Sequence, residues 1–173
     1  MNLSDCIRDV PDFPKEGIVF KDITPLLGDP AALADAVDQL IAPYVDAGVE
    51  AVVGVESRGF IFGSLAAAKL GVGFVPVRKP GKLPCKTVSA SYELEYGTDT
   101  VEMHADAIAP GAKVLMVDDL LATGGTMAAA CKLVQDVGGQ IVGVAFVIEL
   151  AFLPGREKLA NYDLHSLLVV EGE

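Results

Sequence analysis

The sequence predicts an α/β fold, a mostly parallel sheet flanked by helices, and three observations predict it. Short apolar runs at residues 51–55, 74–78, 114–117 and from Ile141 alternate with segments of helical length. That alternation marks strands buried on both faces and linked by right-handed crossovers. Glycines at Gly48, Gly71 and Gly138-Gly139 stand where the helical segments should stop. Finally, 173 residues at 51% hydrophobic and 21% charged suit one domain with a single core, and not a disordered chain.

Taken in order, Asp29-Pro30 opens the first long helix, with an acid at the cap and proline in the first turn. Leu33, Val37, Leu40, Ile41, Tyr44 and Val45 follow at helical spacing. Pro43 should kink or fray the last turn. Residues 51–55 read as a strand, 60–70 as a helix closed by Gly71, and 74–78 as the next strand. Residues 79–104 break the rhythm. They hold Pro80, Gly81 and Pro84, then short runs around 89–96 and 100–103 joined by Gly97-Thr98-Asp99. This predicts a long loop leading into a β-hairpin, with Glu93 and Glu95 on one strand face. Connections so long inside a compact domain are usually functional, often lids. Strand 114–117, a helix from near Met127 to Val137 and the strand from Ile141 complete the pattern.

Charge and cysteines limit the function. A net charge of −11 argues against a nucleic-acid partner, which would want a basic stripe. Cys6, Cys85 and Cys131 are odd in number and widely spaced, which disfavours a disulfide framework or zinc site and fits a reducing cytosol. No secretory signal opens the chain, and the longest apolar run, residues 141–148, is too short for a bilayer. The expectation is a cytoplasmic protein without a membrane partner. His104 and His165 show no metal-ligand spacing and receive no role.

The most informative stretch is residues 114–126, Val-Leu-Met-Val-Asp-Asp-Leu-Leu-Ala-Thr-Gly-Gly-Thr. An apolar run ends in Asp118 and Asp119, and Ala122, Thr123, Gly124, Gly125 and Thr126 form a small-residue loop opening a helix. Backbone N–H groups there can close on an anion at the positive helix end. The acids cannot hold a phosphate, so they must face another part of the ligand, and a sugar diol supplies donors to them. The loop reads as a site for a phosphorylated ribose. It lacks the lysine of a Walker loop and the Gly-x-Gly-x-x-Gly of a dinucleotide site.

Glu56, Ser57 and Arg58 follow a strand, on the rim where such sheets bind ligands. Val55 stands where a nucleophile elbow needs glycine. An arginine fork suits oxyanions, although a surface arginine capping a helix would look the same. Arg78, Lys79 and Lys82 form the densest cationic cluster in an acidic chain. A solvated loop is the ordinary explanation. On a lid, the same charges would close on a diphosphate shielded from water.

Asp118-Asp119 through Thr126 resembles the phosphoribosyl diphosphate (PRPP) signature of type I phosphoribosyltransferases. Residues 14–27, Glu56 to Phe60, Arg78 to Pro84, Tyr92 to Gly97 and residues 155–159 resemble the adenine branch of that family, in its order. The resemblance spans nearly the whole chain. It implies a mostly parallel five-stranded sheet flanked by helices, a flexible hairpin lid over 79–104 and an N-terminal hood over 1–28, within a single domain, 1–173. It implies transfer of phosphoribose from PRPP to adenine, with Glu95 as acid/base at the purine N7. Phe20 would stack on adenine while backbone at Val19 and Lys21 reads the base edge. Arg58, with Glu56, Ser57 and the lid cations, would hold the diphosphate, Asp118 and Asp119 the ribose, and residues 122–126 the 5′-phosphate. Mg²⁺ would be held mainly by PRPP and water, and the working form would be a homodimer. Enzymes for hypoxanthine, guanine or orotate would share the loop but differ in hood and lid. A PRPP-sensing regulator would keep the loop without lid chemistry.

Overall fold

The computed structural model describes residues 2–172. A 3₁₀ turn, Leu3–Cys6, leads into an antiparallel ribbon of β1 (Arg8–Val10) and β2 (Phe20–Asp22). A short helix, α1 (Thr24–Gly28), precedes α2 (Pro30–Ile41). Asp29 caps α2 by accepting from the N–H groups of Ala31 (2.9 Å) and Ala32 (3.1 Å). Such a cap contributes about 1 kcal/mol. At Pro43 the helix tightens into a 3₁₀ turn, Ala42–Tyr44. Tyr44 stays buried, but Val45, expected on the apolar stripe, is exposed, because the tighter turn rotates it outward.

The central layer follows: β3 (Ala51–Val55), α3 (Gly59–Leu70), β4 (Gly73–Val77), then the hairpin β5 (Thr87–Glu93) and β6 (Thr98–His104). Next come β7 (Lys113–Leu121), α4 (Gly125–Asp136), β8 (Gln140–Leu150), the single turn α5 (Gly155–Lys158) and β9 (Leu164–Val170). Five strands pair in the order β4-β3-β7-β8-β9, every neighbour parallel. This confirms the mostly parallel five-stranded sheet. Four strands were read from apolar runs; β9, whose own apolar run at residues 167–170 was not taken for a strand, was implied by the family resemblance alone.

Two expectations are corrected. β7 runs past Val117 through both acids, because β8 continues beside it and pairs with Leu120 and Leu121. The hairpin turns earlier than Gly97-Thr98-Asp99. Leu94 N–H donates to Gly97 O at 2.9 Å, and Gly97 takes φ +88°. Glu95 therefore sits in the turn and not on a strand face beside Glu93.

Alternate side chains send the sheet's apolar groups to opposite faces. Val52, Leu115, Val117, Ala145 and Val147 meet α2 and α3 on one face, together with Leu3, Ile23 and Leu26 from the N-terminal segment. Val53, Val55, Met116, Val144 and Phe146 meet α4 and the hairpin on the other. Ala90, Val101 and Met103 are buried there, so the base of the hairpin belongs to the core. With all strands parallel, their carboxyl ends share one rim, where ligands bind in such sheets.

Candidate active site

β7 delivers residues 122–126 to this rim. Gly124 adopts the left-handed region (φ +80°) as the residue before α4, and a Cβ there would lie 3.0 Å from Gly155 Cα. Glycine is thus required by both conformation and space. No side chain caps α4, a helix of 12 residues. Its first N–H groups stay available to an anion at the positive end of the helix. A cavity of about 100 Å³ opens there, lined by Asp118, Leu120 to Met127 and Phe146. The Thr126 hydroxyl is turned to Tyr92, donating to its oxygen at 3.0 Å.

The two acids occupy different environments. Asp118 Oδ1 accepts from the Asp119 N–H at 2.8 Å. The α3 N-terminus comes so near that a Cβ on Gly59 would lie 2.7 Å from that oxygen. Burial, then the neighbouring Asp119 charge, push the Asp118 carboxyl well above the usual carboxylate range, while Arg58 pulls the other way. Asp119, 5% exposed, pairs through Oδ2 with Arg58 Nε at 2.9 Å. Arg58, on which the N-terminus of α3 begins, also lies 5.3 Å from the centre of the Phe20 ring. Phe13 packs edge-on against Phe20 at 5.2 Å. The N-terminal ribbon, α3 and the end of β7 therefore converge on one guanidinium. Val19 and Lys21 leave in another direction: they line a cavity with Leu150, Phe152 and Val170, and Lys21 pairs with Asp9 at 2.7 Å.

Glu56 organises the cations. Its Oε1 accepts from the Lys79 N–H at 2.6 Å and its Oε2 from Lys82 Nζ at 2.7 Å. Arg78 Nε lies 3.5 Å from Oε1 without hydrogen-bond geometry, and its guanidinium faces the Phe60 ring at 5.9 Å. Burial raises the Glu56 carboxyl, but Lys82, the Lys79 N–H and Arg78 together hold it below its usual value. Lys79 pairs with Asp99. Each cation of the cluster thus has a carboxylate beside it. Ser57 is exposed. Glu95 is exposed at the hairpin tip between Leu94 and Tyr96, the latter 87% exposed, and makes no hydrogen bond or ion pair among the described residues.

Two supports were not anticipated. Tyr92 links the hairpin to Thr126; it stands in the quoted Tyr92–Gly97 motif, but only the pairing register shows what it faces. Arg156 grips buried Glu149 through two bonds of 2.6 Å, and Ser166 adds a third of 2.6 Å. This anchors α5 under residues 122–126, where a Cβ on Gly155 would lie 2.4 Å from Ala122 O. Residue 156 lay in a segment quoted for resemblance alone.

One rim of the parallel sheet thus gathers an uncapped helix end, an acid pair and a guanidinium. The family described as phosphoribosyl transferase domain matches residues 27–167, and the chain belongs to that family. Its relatives place it in the adenine phosphoribosyltransferase branch. The adenine phosphoribosyltransferase of Nitrosococcus oceani is 59% identical over 162 residues, covering 94% of this chain and 95% of the relative. The crystal structure of the Rhodothermus marinus adenine phosphoribosyltransferase superposes with a TM-score of 0.92 at 54% identity, covering 97% and 96% of the two chains. The Saccharomyces cerevisiae adenine phosphoribosyltransferase, complexed with an imino-altritol bisphosphate and adenine, gives 0.91 at 44% identity, covering 96% of each. The family match begins at residue 27, whereas the match to the Nitrosococcus relative takes in most of the segment before it.

Proposed function

We propose that the rim residues described above carry out the reaction of this branch, each at its own part of the substrates. The chain is a purine-salvage glycosyltransferase that moves the 5-phosphoribosyl group of PRPP to adenine, giving AMP and diphosphate. The observation that carries the residue assignment is the convergence at Arg58 of Asp119, the α3 N-terminus and Phe20, beside the uncapped start of α4. Residues 122–126 receive the 5′-phosphate and Asp118 and Asp119 the ribose hydroxyls. Arg58, with Glu56 and Ser57 beside it, takes the diphosphate, joined by Arg78, Lys79 and Lys82. Phe20 stacks on adenine, and the Val19 and Lys21 backbone reads its edge, since their side chains point elsewhere.

In the transfer, adenine N9 forms a bond to C1′ with its lone pair. The C1′–O bond breaks and its electron pair leaves on the diphosphate. The base surrenders one proton, at N7, to Glu95. Cations placed where charge develops on the leaving group stabilise this step most. Two rim carboxylates are paired with cations, Asp119 with Arg58 and Glu56 with Lys82, and Asp118 takes the Asp119 N–H on Oδ1. A Mg²⁺ ion therefore fits this site as one held by diphosphate and water, and when bound it would neutralise the leaving group.

Glu95 reaches the base only if the hairpin tip closes. Exposed Leu94 and Tyr96 supply an apolar surface that closure would cover. Because Ala90, Val101 and Met103 are core and Tyr92 packs against it, the moving part is 80–86 and 93–98, within a single domain whose residues 1–28 form the hood. Hydrogen exchange over those segments should slow when PRPP and adenine bind, while residues 101–104 stay protected throughout. Equal exchange in both states would remove the lid.

The homodimer comes from the family resemblance, and sedimentation tests it. A cytoplasmic location fits free Cys6, Cys85 and Cys131, and no described helix is long and apolar enough to cross a membrane. Steady-state rates with PRPP and each nucleobase test the whole: AMP should form, with hypoxanthine, guanine and orotate barely used. Equal rates with hypoxanthine would overturn the base assignment.

A further inference from the structure

The Tyr92 phenol has no part in the transfer as set out above, yet it stands between two groups assigned to phosphates. β5 lays its ring on the start of α4, where a Cβ on Gly125 would lie 3.0 Å from Tyr92 Cδ2. Its hydroxyl accepts from Thr126 Oγ1 at 3.0 Å and donates to Asp99 Oδ2 at 3.1 Å. Lys79 Nζ donates to the same hydroxyl at 3.4 Å. Asp99 stands opposite Tyr92 in the hairpin register and pairs with Lys79. Its other oxygen is held by the Thr100 N–H at 2.8 Å.

A phenol has one proton and two acceptor sites. Here all three are used, so the hydroxyl cannot turn without releasing Lys79, Asp99 or Thr126. The backbone N–H of Lys79 is fixed separately on Glu56. Both ends of the lysine are therefore held, one from the diphosphate side and one from the phosphate loop.

Resting on the proposed roles of Lys79 and Thr126, we propose that Tyr92, with Asp99, is a positioning residue for PRPP. It sets the Lys79 ammonium against the phosphate loop, so that the cation of the arm and the Thr126 hydroxyl take their places together. Lysine has a long, flexible stem. Restricting its head before the substrate arrives removes freedom that binding would otherwise have to remove.

The test is calorimetric titration with PRPP and Mg²⁺, without base, on the parent, Tyr92→Phe, Lys79→Met and the double variant. Phenylalanine keeps the ring on Gly125 and deletes only the hydroxyl. Tyr92→Phe should weaken PRPP binding roughly 3- to 10-fold, the range of one ordinary hydrogen bond. In steady state its adenine KM should stay within about 2-fold, because nothing at the base has changed. In the Lys79→Met background the same change should cost less than about 2-fold, since Tyr92 acts through the lysine. PRPP binding by Tyr92→Phe equal to the parent's would overturn the inference, as would factors that multiply in the double variant. Turnover of adenine by the parent is read independently: its failure would remove the reaction while leaving the PRPP result to stand or fall alone.

Discussion

The phosphate loop and the cationic arm are both assigned to anions, and they are built by opposite means. The loop uses no charged side chain. It offers backbone N–H groups at the start of α4, held by Gly124 in a left-handed turn and backed by buried Leu121, Met127 and Phe146. Unpaired N–H groups at an open helix end are satisfied by water until a ligand replaces it. The arm offers full charges, and each already has a carboxylate: Glu56 beside Arg78 and Lys82, Asp99 beside Lys79. Binding at the loop is addition to a prepared cradle, whereas binding at the arm is exchange of one anion for another. Prepared sites lose less freedom on binding; exchangeable ones can open and close. On the proposed assignment, one rim combines a fixed anchor for the 5′-phosphate with a releasable grip on the leaving group.

The sharpest way to break this contrast is Glu95→Gln, which keeps the shape at the hairpin tip and removes the titrating group. If the arm brings the acid/base to the purine, kcat should fall by about 10²–10⁴-fold, with the PRPP KM little changed. Normal turnover would leave the arm with diphosphate only.

Next in size is Asp118→Asn, within β7 at the edge of the loop cavity. Losing a charged acceptor to the ribose should lower kcat/KM about 10- to 100-fold. Stability should move the opposite way. The Asp118 carboxyl is raised well above its usual value, chiefly by burial. A group raised in the folded state favours folding fully below its unfolded value and loses that contribution as pH rises through the folded one. The charged form therefore weighs against the fold at pH 8, and asparagine removes that burden. Melting temperatures should favour Asp118→Asn at pH 8, the advantage vanishing toward about pH 4. A variant less stable at pH 8 would show that the acid supports the fold instead.

The loop was legible because its constraints are local: glycine where φ is positive, small residues where backbones meet, acids shortly before them. The alternating strands were legible for the same reason, since burial on both faces writes itself as an apolar run. What escaped depends on pairing, mostly with partners distant in the chain. β7 continues through Asp118 and Asp119 because β8 runs beside it, which no composition at residue 118 announces. Glu95 left its strand because the turn closes at Gly97, three residues after Leu94. The cations of residues 78–82 were visible, but their carboxylates lie 23 residues away along the chain at Glu56 (from Lys79) and across the hairpin at Asp99. Tyr92 and Arg156 went unassigned on the same ground: each matters through what it touches.

The smallest expected effect comes from Lys82→Ala, and it separates the two kinds of anion grip most cleanly. Lys82 Nζ meets Glu56 Oε2 at 2.7 Å, yet its side chain is 47% exposed. Exposed pairs contribute about 0–1 kcal/mol, so the melting temperature should move by no more than about 2–4 °C in a domain of this size. Glu56 keeps the Lys79 N–H and the nearby Arg78, and stays neutralised. If Lys82 exchanges Glu56 for diphosphate, the PRPP KM should rise roughly 3- to 10-fold, as for one charge-assisted contact half open to water. That rise should shrink as salt is added, since an exposed charge is screened over a Debye length. Binding of ribose 5-phosphate, which carries the 5′-phosphate but no diphosphate, should match the parent's, because its anchor is the backbone at α4. Equal weakening for both ligands would mean that arm and loop act as one site, and the contrast between anchor and grip would be lost.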